Sequence, residues 1–221
     1  MSSNLKNKQE KLLELSSSIK LIFWSALVIN ALILISDVFH FRLVQHYRLY
    51  EADIDPVLSL TIIRQTLLWI LAGFIGIFVL VYFLRWFYHA YRYLKYTSGS
   101  NYLSYKPGAA IWSWFIPVAN LIIPYQIMTE IFSEYRDLAA MDSKKYNSKL
   151  VGWWWIVGII SIIASIFEEN IMLVNSHQAI ENVSISIFKL IVPQIISIIS
   201  IIITLKLIGK IDFMIHDTVG A

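Results

Sequence analysis

Within residues 109–128, Pro117, Asn120, Pro124, Tyr125 and Gln126 stand inside ten positions. Each proline removes one helical hydrogen bond and biases its predecessor away from helix, so backbone carbonyls lose their donors. Unwound carbonyls beside a side-chain amide are the means by which broken helices coordinate ions or polar groups. These residues predict a small polar site made by Asn120, Gln126 and the carbonyls around Pro117, roofed by Trp114 and Tyr125. The plainer alternative has Asn120 capping a half-helix while the prolines shape a bend that packs against neighbouring helices.

Further polar residues lie inside apolar runs, where ionisable groups are functional candidates by default. Asn30 falls near the middle of the first run and suits a helix-to-helix hydrogen bond. Asp37 and His40 are three apart, hence on one helix face, where a carboxylate beside an imidazole can relay protons or both can face headgroups and water. Arg64 and Gln65 open the second run, with Arg64 placed to pair with Asp37 or with an acid of the preceding loop. That loop holds Glu51, Asp53 and Asp55, and a later one holds Glu168, Glu169 and Glu181. The first trio lacks the glycine and spacing of a calcium loop and reads as solvated acid.

Catalytic signatures are missing from the sequence. The histidines at 40, 46, 89, 177 and 216 form no His-Glu-x-x-His pair, and neither a nucleophile elbow nor a phosphate-cradling glycine loop occurs. With no cysteine, thiolate metal sites, disulfides and cysteine nucleophiles are excluded. The expectation is a protein that is not an enzyme and carries no metal or cofactor.

The elements that must position these residues are helices in lipid. Of 221 residues, 57% are hydrophobic and 15% charged, against roughly 45–50% and about 25% in soluble domains. A bilayer core needs about 20 apolar residues per helix, and runs at 21–41, 65–85, 150–167 and 187–208 meet that length. The basic and aromatic stretch 85–96 follows the second run directly and reads as an interfacial anchor, not a nucleic-acid stacking platform. Residues 5–15 predict a short surface helix ending at Ser16-Ser17-Ser18, and no cleavable signal is apparent. Residues 1–19 thus form an N-terminal segment, 20–211 one membrane domain and 212–221 a short tail. Ala72, Gly73 and Gly76, and Ser161, Ala164 and Ser165, offer small faces for close helix approach or a dimer seam.

Charge decides how the run at 109–128 is threaded. If it crosses, all five segments alternate and the 18 basic residues divide evenly. If it re-enters or lies in the interface, fourteen fall on one side and four, Arg42, Arg48, Arg64 and Lys189, on the other. Basic residues near span ends collect in the cytoplasm, which favours four spans with both termini cytoplasmic over the five-span alternative.

The string Trp112-Ser113-Trp114-Phe115-Ile116-Pro117, with Asn120-Leu121, Pro124-Tyr125-Gln126 and then Glu130, resembles the core of a bacterial membrane family catalogued as domain of unknown function 4328. The aromatic and basic stretch 86–94 and the pair Trp153-Trp154 are similar to flanking features of that family, and the likeness runs over roughly residues 65–205. Phe132 departs from the tryptophan expected there, which suggests an aromatic interface position. The resemblance implies a multi-span protein of the bacterial cytoplasmic membrane and no particular activity. The fold class is therefore all-α integral membrane, with four transmembrane helices and a proline-broken segment between the second and third. The expected role is a structural, sensing or partner-modulating bundle, whose partners are the lipid bilayer, a second copy or another membrane protein, and no nucleic acid. A small channel or transporter using the broken segment is the alternative.

Overall fold

A computed structural model describes residues 3–50, 55–98, 103–142, 146–172 and 183–217. The acids Glu51, Asp53 and Glu181 lie outside the described residues, as do the side chains of Asp55, Glu168, Glu169 and Lys189. Among the described residues every regular element is a helix: α1 (Ser3–Tyr50), α2 (Asp55–Thr97), α3 (Ala109–Trp112), α4 (Pro117–Leu138), α5 (Lys149–Met172) and α6 (Val183–Asp217). Three stretches of the described residues are long and apolar enough to cross a membrane, Lys6–Leu43, Ile63–Thr97 and Ile191–Asp217, and a shorter apolar stretch, Lys149–Ala164, lies in α5.

The long helices overrun the expected runs for identifiable reasons. Helix α1 continues through the serine run instead of ending there, because residues 3–50 contain neither glycine nor proline and Ser18 Oγ returns a hydrogen bond to the Glu14 carbonyl at 3.1 Å. Helix α2 opens at Asp55 with Pro56 next to it, where a proline's missing N–H costs nothing. It closes where Ser98 N and Ser98 Oγ both donate to the Leu94 carbonyl, at 2.9 and 2.8 Å. Helix α6 runs past the expected end because Ile211, Met214 and Ile215 are buried, so most of the predicted tail is helix.

The break in the middle segment sits at 113–116. There Ile116 is extended (φ −105°, ψ 115°) ahead of Pro117, which occupies the first turn of α4. Pro124 lies inside α4 and does not end it. At the far end Ala139 N donates to Tyr135 O (3.0 Å), Ala140 N to Asp137 O (3.1 Å) and Met141 N to Arg136 O (3.0 Å), a left-handed helix stop. Lys149 N is capped by Asn147 Oδ1 at 2.9 Å, which starts α5.

The chain divides into two compact units. The first comprises residues 1–23, 78–156 and 203–221. Its core is built on Trp86, Phe87, Tyr91, Phe132 and Tyr135, all fully buried. Phe83 links the aromatics, with ring centroids 6.4 Å from Phe23, 5.7 Å from Phe87, 5.6 Å from Trp114 and 6.2 Å from Trp154. The stretch expected to anchor in the interface is thus amphipathic, with one face in this core. Phe132, expected at an interface, is core as well. Polar ties cross the unit: Trp86 Nε1 donates to Ser16 Oγ (2.7 Å), Tyr135 OH to Ala90 O (2.8 Å) and Gln9 Nε2 to Ile215 O (2.8 Å), while Lys20 Nζ meets Asp212 Oδ2 at 2.6 Å. Burial pushes the Tyr135 phenol well above its usual range, so it remains a donor.

The second unit comprises residues 24–77 and 157–202. Ile29 and Ile33 are buried in it, and Asn30 ties α1 to α6 by accepting from Ser197 Oγ at 3.1 Å while donating to Ala26 O at 2.8 Å. On the small face of α2, a Cβ built on Gly73 or Gly76 meets no atom of the described residues within 4 Å.

The helix stop at Ala140 carries a prediction. Its φ of 49° is a left-handed conformation that glycine adopts without the Cβ clash. Ala140→Gly is expected to raise stability by about 0.5–1 kcal/mol in detergent-solubilised protein, read as a higher midpoint of thermal unfolding.

Candidate functional site

The first unit holds the proline-broken segment, and its polar residues do not converge. Asn120 and Gln126 are six residues apart on α4, about 120° around the helix axis at 3.6 residues per turn. Asn120 is half-buried on the face shared with Pro124 and Ile127; its backbone N–H donates to Ile116 O at 2.7 Å, and Pro124 leaves the Asn120 carbonyl without its helical donor. Gln126 is exposed and accepts from Tyr105 OH. Trp114 belongs to the aromatic cluster, edge-on to Phe83 and 6.1 Å from Trp155, with its indole N–H buried and unpartnered among the described residues. Tyr125 lies 6.4 Å from Trp155, and Phe115 and Pro117 are exposed.

What the segment does assemble is a latch. Tyr91 OH on α2 donates to Glu130 Oε2 on α4 at 2.5 Å and accepts from Tyr105 N at 3.1 Å; Glu130 Oε1 accepts from Ser104 N at 3.3 Å. With the Tyr105–Gln126 bond, the loop ahead of α3 is held to both helices. Sequence reasoning named Glu130 and Gln126 but missed Tyr91 and Tyr105. The available signal was spacing, since Phe83, Phe87, Tyr91 and Leu94 recur every three or four residues as one helix face.

The second unit gathers the other candidates. Ser36 and Asp37 are buried on α1, opposite Arg64 and Gln65 of α2. Arg64 Nε donates to Ser36 Oγ (3.1 Å), Ser36 Oγ donates to Gln65 Oε1 (2.8 Å), and Gln65 Nε2 donates to Asp37 Oδ1 (2.6 Å). The pairing of Arg64 with Asp37 anticipated from sequence is therefore indirect, with a hydroxyl and an amide between guanidinium and carboxylate. Asp37 Oδ2 and His40 Nδ1 are buried and have no partner among the described residues. The arrangement can hold a proton, a water or a small cation at the open carboxylate oxygen, and Asp37 and His40 share the face that their spacing predicted. Ser36 and Gln65 were not singled out as one network, because the register of α1 against α2 is not written in either run alone. Among the described residues no group of three or more His, Asp or Glu side chains is placed to hold a metal.

The latch is testable. Tyr91→Phe removes a donor and an acceptor at once and is expected to lower stability by about 1–2 kcal/mol in thermal unfolding. It should also speed amide hydrogen exchange at Ser104 and Tyr105, whose N–H groups lose their anchor or its support.

No curated protein and no solved structure matches the chain. Residues 53–212 match a family described as domain of unknown function (DUF4328), which takes in the broken segment, the latch and Arg64 with Gln65, and leaves Asn30, Ser36, Asp37 and His40 ahead of the match. The string around Pro117 and Pro124 and the family match over 53–212 agree, and the chain belongs to the DUF4328 family.

Proposed function

We propose that this chain is a non-catalytic, four-span membrane bundle that works through contact with other membrane proteins, with both termini cytoplasmic and residues 109–128 lying in the interface. The observation that carries the threading is the meeting of the two ends of the bundle. Lys20, at the start of the first span, is 2.6 Å from Asp212, beyond the last, and Gln9 bonds to Ile215. Ends that touch on one side of a bilayer fit an even number of crossings, which supports four spans over five. The basic residues support the same reading, since four-span threading puts fourteen of them on one side and leaves Arg42, Arg48, Arg64 and Lys189 on the other. Helix α5, 24 residues and about 36 Å long, supplies the remaining crossing. Helix α4 suits an interface, joining an apolar first half to Glu130, Glu134, Arg136 and Asp137.

Contact with partners is supported by α2. Only 11% of its most apolar window is buried within the chain, against 33% in α1 and 22% in α6, and its Gly73 and Gly76 face open space. Backbones approach closely at such positions when a second helix arrives. A second reading, a proton or cation conductor, is favoured by one observation, the open Asp37 carboxylate oxygen beside His40, and places the polar site there instead of at the prolines.

Single cysteines at Ser143 and Ser176, in a chain with no native cysteine, test the threading with a membrane-impermeant thiol reagent on intact cells. The proposal expects Ser176→Cys to be labelled and Ser143→Cys to be protected; the reverse pattern means five spans. A photo-crosslinker at Leu80, exposed on the face of Gly73 and Gly76, is expected in native membranes to trap a second copy or a distinct membrane protein, and recovery of monomer alone overturns the partner role. Proton or cation flux through proteoliposomes that is abolished by Asp37→Asn would establish the second reading instead.

A further inference from the structure

The first unit contains a groove of about 590 Å³ between the beginning of α1 and the end of α2, and the latch and aromatic core leave it unused. Lys8, Lys11, Arg85 and Arg92 line it, with His89 among them, against a single carboxylate, Glu14. None of the four permanent cations is ion-paired among the described residues. Lys8 Nζ sits 3.7 Å over the Tyr96 ring, and Arg92 Nη2 and Nε reach Tyr96 OH at 3.3 and 3.4 Å. Lys11 and Arg85 are exposed and bonded to no described residue. Four like charges turned into one concavity are mutually repulsive until an anion enters.

The same helix faces change character within one turn. On α2 the stripe Tyr96, Arg92, His89, Arg85 continues at the same spacing into Val81 and Phe78, and on α1 Lys11, Glu14 and Ser18 continue into Leu21. Val81, Phe78 and Leu21 are exposed. A cationic head site that passes directly into an uncovered apolar strip matches an amphiphile, with a phosphate at one end and acyl chains at the other. A free anion would use the cations and leave the strip without a role.

We propose that this groove binds one anionic glycerophospholipid, its phosphate held by Lys8, Lys11, Arg85 and Arg92 and its acyl chains laid along Leu21, Phe78 and Val81. Arginine forks give directional, charge-assisted bonds to phosphate oxygens, and the exposed Tyr96 hydroxyl, bonded to Arg92, adds a neutral donor beside them. The site lies at the boundary between the predicted spans and their basic flanks, the depth at which a headgroup sits. It stands apart from the partner-binding reading above, because it uses α1 and the far end of α2 and not the Gly73 face.

Native mass spectrometry of the full-length protein in detergent tests it, with dioleoyl-phosphatidylglycerol, dioleoyl-phosphatidylcholine and inorganic phosphate titrated separately. The expected result is one tightly held phosphatidylglycerol, bound about tenfold or more better than phosphatidylcholine, and not displaced by millimolar phosphate. Lys11→Gln/Arg85→Gln should abolish the preference, the charge-conserving Lys11→Arg/Arg85→Lys should keep it, and Lys106→Gln/Lys149→Gln, with the same loss of charge elsewhere, should leave it unchanged. Equal binding of the two lipids, or equal loss in the control pair, overturns the site in favour of bulk charge. Displacement by phosphate overturns the lipid in favour of a free anion. The wild-type comparison of the two lipids decides the matter even if the double variant fails to fold.

Discussion

Polar groups carried into an apolar environment must be satisfied by the chain itself, and the hydrogen-bonded run Arg64–Ser36–Gln65–Asp37 answers that demand across two helices while leaving one carboxylate oxygen, Asp37 Oδ2, open. Lipid tails are as apolar as isoleucine, so packing one Ile face on another gives little preference for one register over its neighbours. A serine, an amide and a guanidinium that fit in one alignment do give such a preference. The run sets α1 against α2 in the second unit, as Ser197 and Asn30 set α1 against α6. The first unit repeats the device with different groups: an indole on a serine, a phenol on a carbonyl, a lysine on an aspartate.

The fold was legible where length and hydropathy decide it. Each of the four apolar runs lies inside a helix, and the polar linker after Leu138 is where α4 ends. Boundaries were less legible, because serines that look like a stop are tolerated when their hydroxyls bond back to the preceding turn, as Ser18 does. The aromatic stretch 85–96 misled for a different reason. Alternation of ring and charge suggests a belt, yet the same residues sorted by helical period separate into a face of buried rings, Trp86, Phe87 and Tyr91, and a face where Arg85 and Arg92 stand with Tyr88 and Tyr96.

The candidate sites divide along the same line. Asp37 and His40 share a face because spacing alone dictates it, and Arg64 reaches their neighbourhood as expected. Their connection through Ser36 and Gln65 depends on the interhelical register, which a single sequence does not encode locally. At the broken segment Pro117 marked irregular backbone while Pro124 sits inside a continuous α4, and which side chains would meet depended on helix phase. Asn120 and Gln126 diverge by about a third of a turn, and the acid one turn further on, Glu130, takes the structural role instead. Of the DUF4328 string, Gln126 and Glu130 thus serve, in this chain, the latch that fastens a loop across α2 and α4, and the buried Asp37 carboxylate lies elsewhere.

Interhelical polar bonding, more than apolar burial, fixes the register of the long helices within each unit. A double-mutant cycle on Asp37 and Gln65 in lipid nanodiscs tests it directly, comparing unfolding free energies of Asp37→Leu, Gln65→Leu and the pair. Gln65→Leu alone is expected to be costly, because it strands a buried carboxylate, and the pair to cost less than the sum of the singles by about 1 kcal/mol or more. Effects that add to within about 0.3 kcal/mol would contradict it.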